Sequence, residues 1–410
     1  NLDIMRRTSW LVLIVVAGLL ARTEAIRYLH WDEIQPAFAA FAAAGIRAPT
    51  FSDVAEFDEW IRERDAEVRS RINRGVENSV SALVLIGSSF TTLPKIANAA
   101  DAVNAAGDLT PSARSRVQAF VQAIDEQDQE WFAMVREFLS RRRIPDEEVR
   151  AFVIGNLRRF ALEQAGFQRK HAQGPRLDGG IGVETSPLAG YAIEDTLANL
   201  KSRGALPGRI RRIAVIGPGL DFASDSFPPQ SIQPFAVLES VLRLGLAQPA
   251  DVEITAFDLN PSVVMHLKTL PAKIRGGHYV LQLPVQAAGW NAGVTAYWQH
   301  FGNLIGKPVK AQFAARVTGE ELNIVTQTRD APAGQGFDLV VAANVFGYYN
   351  PLEQAMAMTN IAQMLASGGI VLANNPLPAD KAPMLESLGV RHIPFTDNGA
   401  GDDIVTFRRR

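Results

Sequence analysis

The sequence lacks cysteine altogether, which excludes disulfides, thiolate zinc sites and a cysteine nucleophile. It also lacks a strong charge bias, because 41 basic and 43 acidic residues give a formal net charge of -2. A chain this close to neutrality gives no electrostatic case for nucleic acid. Its six histidines are scattered, without a His-Glu-x-x-His or similar spacing, so no metal site is expected.

Long apolar runs are absent too, apart from Trp10–Ala21 near the start of the chain. Arg6 and Arg7 precede this run and Thr23-Glu24-Ala25 follows it, which is the pattern of a secretory signal. The run is shorter than the roughly 20 residues that span a bilayer. We expect residues 1–25 to be a cleaved signal of an exported or periplasmic protein. The alternatives are a short anchor, which makes the protein membrane-anchored, or a buried helix in a cytoplasmic protein. No other contact with a membrane is expected.

The first part of the remaining chain has helical spacing throughout. Thr110 followed by Pro111 is typical of a helix start, and Val117, Phe120 and Ile124 then recur on one helical face. We therefore expect an all-α domain over residues 26–174, without a catalytic constellation. Residues 175–192 are rich in glycine and proline and are expected to form a linker to a second domain over residues 193–410.

The second domain is organised around a short strand and a glycine turn. Ile213–Ile216 is apolar on both faces, as a buried parallel strand requires, and Gly217 and Gly219 follow it. Glycine lets the backbone turn sharply and approach a ligand closely, because it has no Cβ atom. In open α/β sheets ligands bind at the carboxyl ends of the strands, which is where this turn falls.

Further strands and helices alternate after the turn. At the end of the chain we expect a hairpin, in which Arg391–Phe395 and Asp403–Phe407 flank a glycine-containing turn. This pattern predicts an α/β domain with a mostly parallel sheet and an antiparallel edge strand, and an aromatic-rich insertion over residues 276–320. The other predicted strands are Val252–Phe257, Leu322–Thr326, Phe337–Ala343 and Ile370–Ala373.

Asp258 ends the second of these strands and is a candidate for binding a ribose. A carboxylate at that strand end can accept hydrogen bonds from both ribose hydroxyls. Asp258 lies 41 residues after Gly217, whereas the usual spacing is about 20 residues, so the intervening segment is long. Asp258-Leu259-Asn260-Pro261 also suits the start of a helix.

Taken in order, four stretches resemble the motifs of Rossmann-like S-adenosylmethionine (SAM)-dependent methyltransferases over about residues 193–410. They are Ile-Gly-Pro-Gly, the strand-end Asp258, Phe-Asp-Leu-Val-Val-Ala-Ala-Asn-Val-Phe and Leu-Ala-Ser-Gly-Gly-Ile-Val-Leu. Ala296–Phe301 and Asn344–Tyr349 also resemble stretches of the chemotaxis-receptor methyltransferases. Two positions depart from the superfamily pattern: Val215 stands where many members have an acid, and Asp221 replaces the third glycine.

The resemblance implies SAM as cofactor and assigns two sets of residues. A catalytic residue is not implied, because methyl transfer is an in-line displacement that needs mainly orientation. The methyl acceptor, a small molecule or a protein, stays open. The implied cofactor-binding residues are Gly217, Pro218, Gly219, Asp221, Asp258, Leu259, Asn344 and Val345. The implied acceptor-pocket residues are Tyr348, Tyr349, Tyr297 and Trp298, which could equally be aromatic residues of the core.

Two other functions are considered. Because SAM is made in the cytosol, an exported protein would lack it, and the chain could then be a non-catalytic binding or structural module that keeps the fold. A nicotinamide-dependent oxidoreductase is disfavoured, because its Gly-x-Gly-x-x-Gly motif needs glycine where Phe222 stands.

Overall fold

The computed structural model describes residues 25–43, 48–170, 188–221, 229–284, 289–331, 334–374 and 383–410. The signal-like segment up to residue 24, most of the predicted linker and Phe222 lie outside these residues. Within the described residues, no helix combines the length and the apolar character that crossing a bilayer requires.

Helices and strands follow one another along the described chain, with short 3-10 turns at Ala99–Ala102, Ala311–Phe313 and Phe346–Tyr348. The helices are α1 (Trp31–Ala43), α2 (Val54–Ile86), α3 (Pro111–Glu126), α4 (Glu130–Arg141), α5 (Asp146–Lys170), α6 (Leu188–Ser202), α7 (Gln233–Arg243), α8 (Pro261–Arg275), α9 (Ala292–His300) and α10 (Pro351–Met364). The strands are β1 (Ile26–Tyr28), β2 (Arg212–Ile216), β3 (Glu253–Asp258), β4 (Val317–Glu321), β5 (Gln327–Arg329), β6 (Phe337–Ala342), β7 (Leu365–Asn374), β8 (Leu385–Pro394) and β9 (Gly401–Arg409).

The first part of the chain is helical apart from β1, which pairs antiparallel with β5 and places Ile26 opposite Arg329. The predicted helix start at Thr110 is confirmed. Its hydroxyl accepts a hydrogen bond from the Ala113 N–H at 3.4 Å, and Pro111 occupies the first turn, where its missing N–H is not needed.

The main sheet has seven strands in the order β4-β3-β2-β6-β7-β9-β8. Neighbouring strands from β4 to β7 are parallel, and β9 runs antiparallel between β7 and β8. Numbered within the sheet, this is 3-2-1-4-5-7-6, whereas a dinucleotide-binding Rossmann sheet has the order 3-2-1-4-5-6. The domain has the Rossmann-like methyltransferase fold, and the predicted α/β class with an antiparallel strand near one edge is confirmed.

One predicted strand, Leu322–Thr326, is wrong. Those residues form a turn whose apolar side chains are buried, while β4 lies just before it and pairs in parallel with β3. The prediction failed because β4 is polar and lacks the apolar pattern of a buried strand. Its Gly319 packs against Leu267, whose Cβ would lie only 2.4 Å from a Cβ added to the glycine. The predicted hairpin at the end of the chain is confirmed as β8 and β9, both longer than expected.

Hydrophobic side chains form three cores. Alternate residues of β2 separate the first two, because Ile213 and Val215 face one side of the sheet and Ala214 and Ile216 face the other. The first core contains residues of α6, α7, α8 and α9, and the second contains residues of α1, α10 and the first part of α2. The third core joins the last part of α2 to α3, α4 and α5. Helix α2 therefore links the helical part to the sheet.

Candidate functional site

The candidate site lies where β2 ends between β3 and β6. The chain leaves β2 toward β3 on one side, and β6 pairs with β2 on the other, so the strand order reverses at this point. Open α/β sheets form a ligand crevice at such a reversal, outside the carboxyl ends of the strands. The carboxyl ends of β2, β3, β6 and β7 thus meet at one edge.

The glycine turn after β2 depends on glycine at both predicted positions. Gly217 has φ of 60° and Gly219 has φ of 61°, a left-handed conformation that side chains with a Cβ rarely adopt. The Gly217 N–H donates to the Phe257 carbonyl at 2.7 Å, and a Cβ added to Gly217 would lie 2.8 Å from Val345 Cγ2. The predicted residues Gly217 and Val345 are therefore in direct contact, and Pro218 between the glycines is buried.

Asp258 lies beside this turn, as the sequence predicted for the strand-end acid. Its Oδ2 accepts a hydrogen bond from the Gly219 N–H at 3.3 Å, and its Oδ1 accepts one from the Asn260 N–H at 2.8 Å. The carboxylate is 8% exposed, and burial raises its pKa to about 6 despite these hydrogen bonds, which lower it. The neighbouring Leu259 is also 8% exposed and packs in the second core.

Asp221 is the second buried acid at this edge. Its backbone N–H donates to the Gln230 carbonyl at 2.6 Å, and its Oδ2 accepts from the Ile232 N–H at 2.9 Å. Its Oδ1 is buried and has no hydrogen-bond partner in the described part of the chain. Burial raises the pKa of Asp221 to about 7. A buried carboxylate oxygen without a partner is costly unless a ligand donates to it.

Other polar atoms without partners follow Asp221 along the chain, and sequence reasoning missed them. Ser231 Oγ and both polar side-chain atoms of Gln233 are buried and have no hydrogen-bond partner among the described residues. These two side chains are 0% and 2% exposed, at the start of α7. These side chains flank Ile232, whose N–H binds Asp221, so this segment is a candidate place for a polar ligand.

Tyr279 and His266 lie behind this loop and were not predicted as site residues. The Tyr279 hydroxyl accepts from the Ser231 N–H at 3.1 Å and lies 3.4 Å from His266 Nε2. Burial raises the pKa of Tyr279 and lowers that of His266. His266 Nδ1 lies 3.6 Å from the carboxylate of Glu130, at the start of α4. No sequence motif connects these residues, because they come from four separate segments.

Asn344 follows β6 with φ of 61°, a strained conformation for a residue with a side chain. Asn374, at the end of β7, stabilises it: its Oδ1 accepts from the Asn344 N–H and its Nδ2 donates to Asn344 Oδ1. Asn374 Nδ2 also lies 3.4 Å from Asp402 Oδ2. Asn344 and Val345 thus stand at the predicted strand end, whereas Asn374 and Asp402 were missed because only the sheet pairing brings them there.

The four predicted acceptor-pocket residues do not come together. Tyr297 and Trp298 are 4% and 5% exposed and belong to the first core, whereas Tyr349 is 4% exposed and belongs to the second core on the other face of the sheet. Tyr348 is half-buried, and its carbonyl accepts from Arg71 Nη1 at 3.1 Å. The structure therefore places Tyr297 and Trp298 as core aromatic residues, with Tyr348 and Tyr349 close to the sheet edge.

The helical part contributes to the surroundings of this edge. Arg71 of α2 also binds Glu353 Oε1 at 2.7 Å, in the first turn of α10. Arg141 Nη2 donates to Ser262 Oγ at 2.9 Å, just after Asp258 in the sequence. In the residues that the structure describes, no three His, Asp or Glu side chains are grouped as a metal site would require.

Comparisons with known proteins give matches to solved structures alone. No protein-family model and no curated protein matches the chain. The N-methyltransferase NodS from Bradyrhizobium japonicum WM9 is 14% identical, with a TM-score of 0.29, over 53% of this chain and 93% of its own. A TehB-like SAM-dependent methyltransferase from Corynebacterium glutamicum is 13% identical, with a TM-score of 0.26, over 55% of this chain and 100% of its own. The glycopeptide N-methyltransferase MtfA is 14% identical, with a TM-score of 0.28, over 54% of this chain and 95% of its own. At these values the fold assignment rests on the strand order.

Proposed function

We propose that the chain is a SAM-dependent methyltransferase. The observation that carries this proposal is the pair of buried carboxylates on either side of the glycine turn, one of which, Asp221, has an oxygen without a partner. A buried acceptor of this kind is matched by a ligand with a cationic donor, and the strand-end Asp258 is matched by a ligand with hydroxyl groups. SAM has both, in its α-ammonium group and its ribose.

The residues present fit the cofactor by their chemistry. Asp258 would hold the ribose, since each carboxylate oxygen accepts more than one hydrogen bond. The unpartnered Oδ1 of Asp221 would accept from the α-ammonium group, and the left-handed Gly217 and Gly219 let the backbone lie close to the methionine part. Asn344 would stand beside the sulfonium.

When bound, SAM supplies a methyl group on a positively charged sulfur, and the carbon–sulfur bond breaks with its electron pair left on sulfur as the acceptor forms its bond to carbon. The residues of this chain orient the two partners and exclude water. Orientation alone contributes several kcal/mol to such a displacement, on the order of 7–11 in favourable intramolecular cases. No acid–base pair is therefore needed in the proposal.

The narrower resemblance to chemotaxis-receptor methyltransferases is not used to choose a methyl acceptor, because no chemotaxis-receptor methyltransferase is among the structures named above. We accordingly name no protein acceptor. Export of the protein also stays a prediction from the N-terminal sequence.

Titration calorimetry of the whole chain with SAM and with its demethylated product, S-adenosylhomocysteine (SAH), tests the proposal. We expect micromolar binding of both. Replacing Asp258 by Ala should weaken it by about 1–3 kcal/mol, because ribose hydroxyls would lose their acceptor. The matched control is Asp251→Asn, whose carboxylate pairs with Arg209 at the surface and should leave binding unchanged. If neither SAM nor SAH gives a heat of binding, the methyltransferase proposal is wrong.

A further inference from the structure

The loop before α7 holds Asp221 in place and is itself held by a buried tyrosine. Asp221 Oδ2 accepts from the Ile232 N–H at 2.9 Å, and the Asp221 N–H donates to the Gln230 carbonyl at 2.6 Å. Between these two contacts, the Ser231 N–H donates to the hydroxyl of the buried Tyr279 at 3.1 Å. The position of the Asp221 carboxylate therefore depends on three consecutive loop residues, and the middle one of these is held by Tyr279.

This contact directs the hydroxyl hydrogen of Tyr279. An N–H group only donates, so the Tyr279 oxygen accepts from Ser231, and its own hydrogen is left to point at His266 Nε2, 3.4 Å away. Burial lowers the pKa of His266, so its ring is neutral at pH 7, and an Nε2 that accepts leaves the ring hydrogen on Nδ1. Tyr279 and His266 thus both direct a hydrogen away from the loop.

Glu130 of the helical part lies where the ring hydrogen of His266 points. His266 Nδ1 is 3.6 Å from Glu130 Oε1, which is too long for a hydrogen bond but close enough for the carboxylate to attract the N–H group. Lys273 Nζ donates to the same oxygen at 2.8 Å. His266 and Lys273 lower the pKa of Glu130 to about 2 against the effect of partial burial, so it is ionised at neutral pH. Ser231, Tyr279, His266 and Glu130 thus form a continuous polar line from the loop to the helical part.

Helix α4, which begins at Glu130, has further contacts with the sheet domain. Met134 packs against the first core, and Arg141 Nη2 donates to Ser262 Oγ at 2.9 Å. These two contacts attach the helix to the sheet domain. The Glu130 contact differs from them, because it also reaches the loop of the candidate site through the polar line.

We propose that Glu130 and His266 are positioning residues through which the helical part sets the cofactor affinity of the loop that holds Asp221. This inference rests on the proposed methyltransferase function, in which Asp221 accepts from the α-ammonium group of SAM. Neither Glu130 nor His266 touches the cofactor, and each acts through its neighbour in the polar line.

The tautomer of His266 carries the effect. The ionised Glu130 favours the ring hydrogen on Nδ1, so Nε2 stays an acceptor for the Tyr279 hydroxyl. Without that charge the other tautomer becomes available, in which Nε2 carries the hydrogen and competes with the Ser231 N–H for the Tyr279 oxygen. The loop then loses part of its support, and the cofactor binds more weakly.

A second attachment of the loop limits the size of the effect. Gln230 Nε2 donates to the Gln282 carbonyl at 2.7 Å, and the Gln282 N–H donates to Gln230 Oε1 at 2.8 Å. These hydrogen bonds join the loop to the segment after α8 without using the polar line. We therefore expect interruption of the polar line to weaken cofactor binding about tenfold, within the usual range of coupling between sites, and not to abolish it.

Calorimetric titration of the whole chain with SAH measures this effect. Glu130→Gln keeps the shape of the side chain and removes its charge, so it should weaken SAH binding about tenfold. Glu130→Asp keeps the charge and should retain most of the affinity. The matched control is Glu137→Gln on the same helix, whose carboxylate lies 3.6 Å from Arg141 and outside the polar line, and it should leave SAH binding unchanged. Unchanged binding in Glu130→Gln would overturn the inference.

A double-mutant cycle separates positioning from a general loosening of the fold. Tyr279→Phe keeps the ring but removes the hydroxyl that joins His266 to Ser231, so it breaks the polar line next to the loop. In this background Glu130→Gln has nothing left to transmit, and it should change SAH affinity by less than about twofold. A further tenfold loss in the double variant would show that Glu130 acts on the fold as a whole, which would overturn the inference.

Two further measurements need no cofactor. Nitrogen-15 NMR of the imidazole rings, with His266→Gln to assign the signals of His266, should show its hydrogen on Nδ1 at pH 7, and a hydrogen on Nε2 would overturn the inference. Amide hydrogen exchange across residues 229–235 should be faster in Glu130→Gln than in Glu137→Gln. Equal exchange in the two variants would show that Glu130 does not hold the loop.

The two possible failures are distinguishable. If SAH does not bind the unaltered chain, the methyltransferase proposal fails, and faster exchange in Glu130→Gln still shows that the helical part holds the loop. If SAH binds the unaltered chain and Glu130→Gln equally well, the positioning inference fails while the methyltransferase proposal stands.

Discussion

Two buried aspartates of this protein have nearly equal exposure and opposite surroundings. Asp65 of α2 is 6% exposed, and its carboxylate accepts from Asn323 Nδ2 and Thr326 Oγ1 at 2.8 Å and from Arg69 Nε at 2.7 Å. Asp221 is 7% exposed, accepts one backbone hydrogen bond through Oδ2, and has a second oxygen without a partner. Burial alone therefore does not determine how completely a carboxylate is hydrogen-bonded.

The difference lies in the number of hydrogen bonds. Asp65 joins α2 to the turn before β5, and every donor around it comes from this chain, so it contributes to the stability of the fold. For Asp221, the described chain supplies no donor to Oδ1. Burial raises the pKa of Asp221 to about 7, and the one backbone hydrogen bond from Ile232 offsets this only in part. Carboxylates with such perturbed pKa values cluster at functional sites.

The largest expected effect is the loss of Asp65. Asp65→Ala would leave the Asn323 amide and the Thr326 hydroxyl buried without this acceptor, while Arg69 would keep its ion pair with Glu321. We expect the free energy of unfolding to fall by about 3–5 kcal/mol in urea denaturation. Glu67→Ala, an exposed acid on the same helix, is the control and should change it by less than about 0.5 kcal/mol. A small loss at Asp65 would contradict the structural role.

Asp221→Asn should act in the opposite direction, and in a pH-dependent manner. Because the pKa of Asp221 is about 7 in the folded chain and near 4 when unfolded, the folded state holds its proton more tightly, and stability falls as pH rises between these values. Relative to the unaltered chain, the variant should therefore gain roughly 2–4 kcal/mol between pH 4 and pH 8. Parallel pH curves of unfolding free energy would contradict this expectation.

The same titration predicts how cofactor binding depends on pH. The ionised form of Asp221 attracts an ammonium group, so SAH affinity should rise as pH increases toward 7 and level off above it. Calorimetry across this range in the unaltered chain and in Asp221→Asn provides the measurement. In the variant, only the rise that accompanies ionisation of Asp258, whose pKa is about 6, should remain. A rise that still continues to pH 7 in the variant would assign it to a group other than Asp221.

The smallest effect on stability is expected at the glycine turn. Gly217→Ala places a Cβ 2.8 Å from Val345 Cγ2 at a φ of 60°, and we expect a loss of about 1–3 kcal/mol together with loss of SAH binding. Gly204→Ala has a similar φ of 65° with no atom within 4 Å of its Cβ, so it measures the backbone strain alone. Equal losses in the two variants would show that the Val345 contact carries no cost.

The sequence predicted the sheet better than the site. Apolar strands with a glycine turn or an acid at their ends are local patterns, and β2, β3 and β6 could be found from them. The polar edge strand β4 could not, since its place in the sheet depends on pairing with β3 and on the contact between Gly319 and Leu267. Asp258 and Gly217 could be expected at one edge of the sheet, because each lies at the end of a short apolar strand.

The residues around Asn344 that were not predicted come from distant segments. Asn374 and Asp402 reach Asn344 through the order of the strands, and no spacing in the sequence records that order. Tyr297 and Trp298 were grouped with Tyr348 because all are aromatic and lie near motifs, yet an aromatic pattern is the same for a pocket and for a core. In the structure, Tyr297 and Trp298 pack in the first core, whereas Tyr348 packs against the second core on the other face of the sheet.

The short pairing of β1 with β5 constrains which insertions and deletions the chain can tolerate. Ile26–Tyr28 lie opposite Gln327–Arg329, and Arg27 Nε donates to Asp330 Oδ1 at 2.8 Å. Two segments some 300 positions apart therefore share one register. An insertion or deletion in either segment shifts the other out of register. We therefore expect that exchanging either segment for a homologous piece requires the other segment to be exchanged as well.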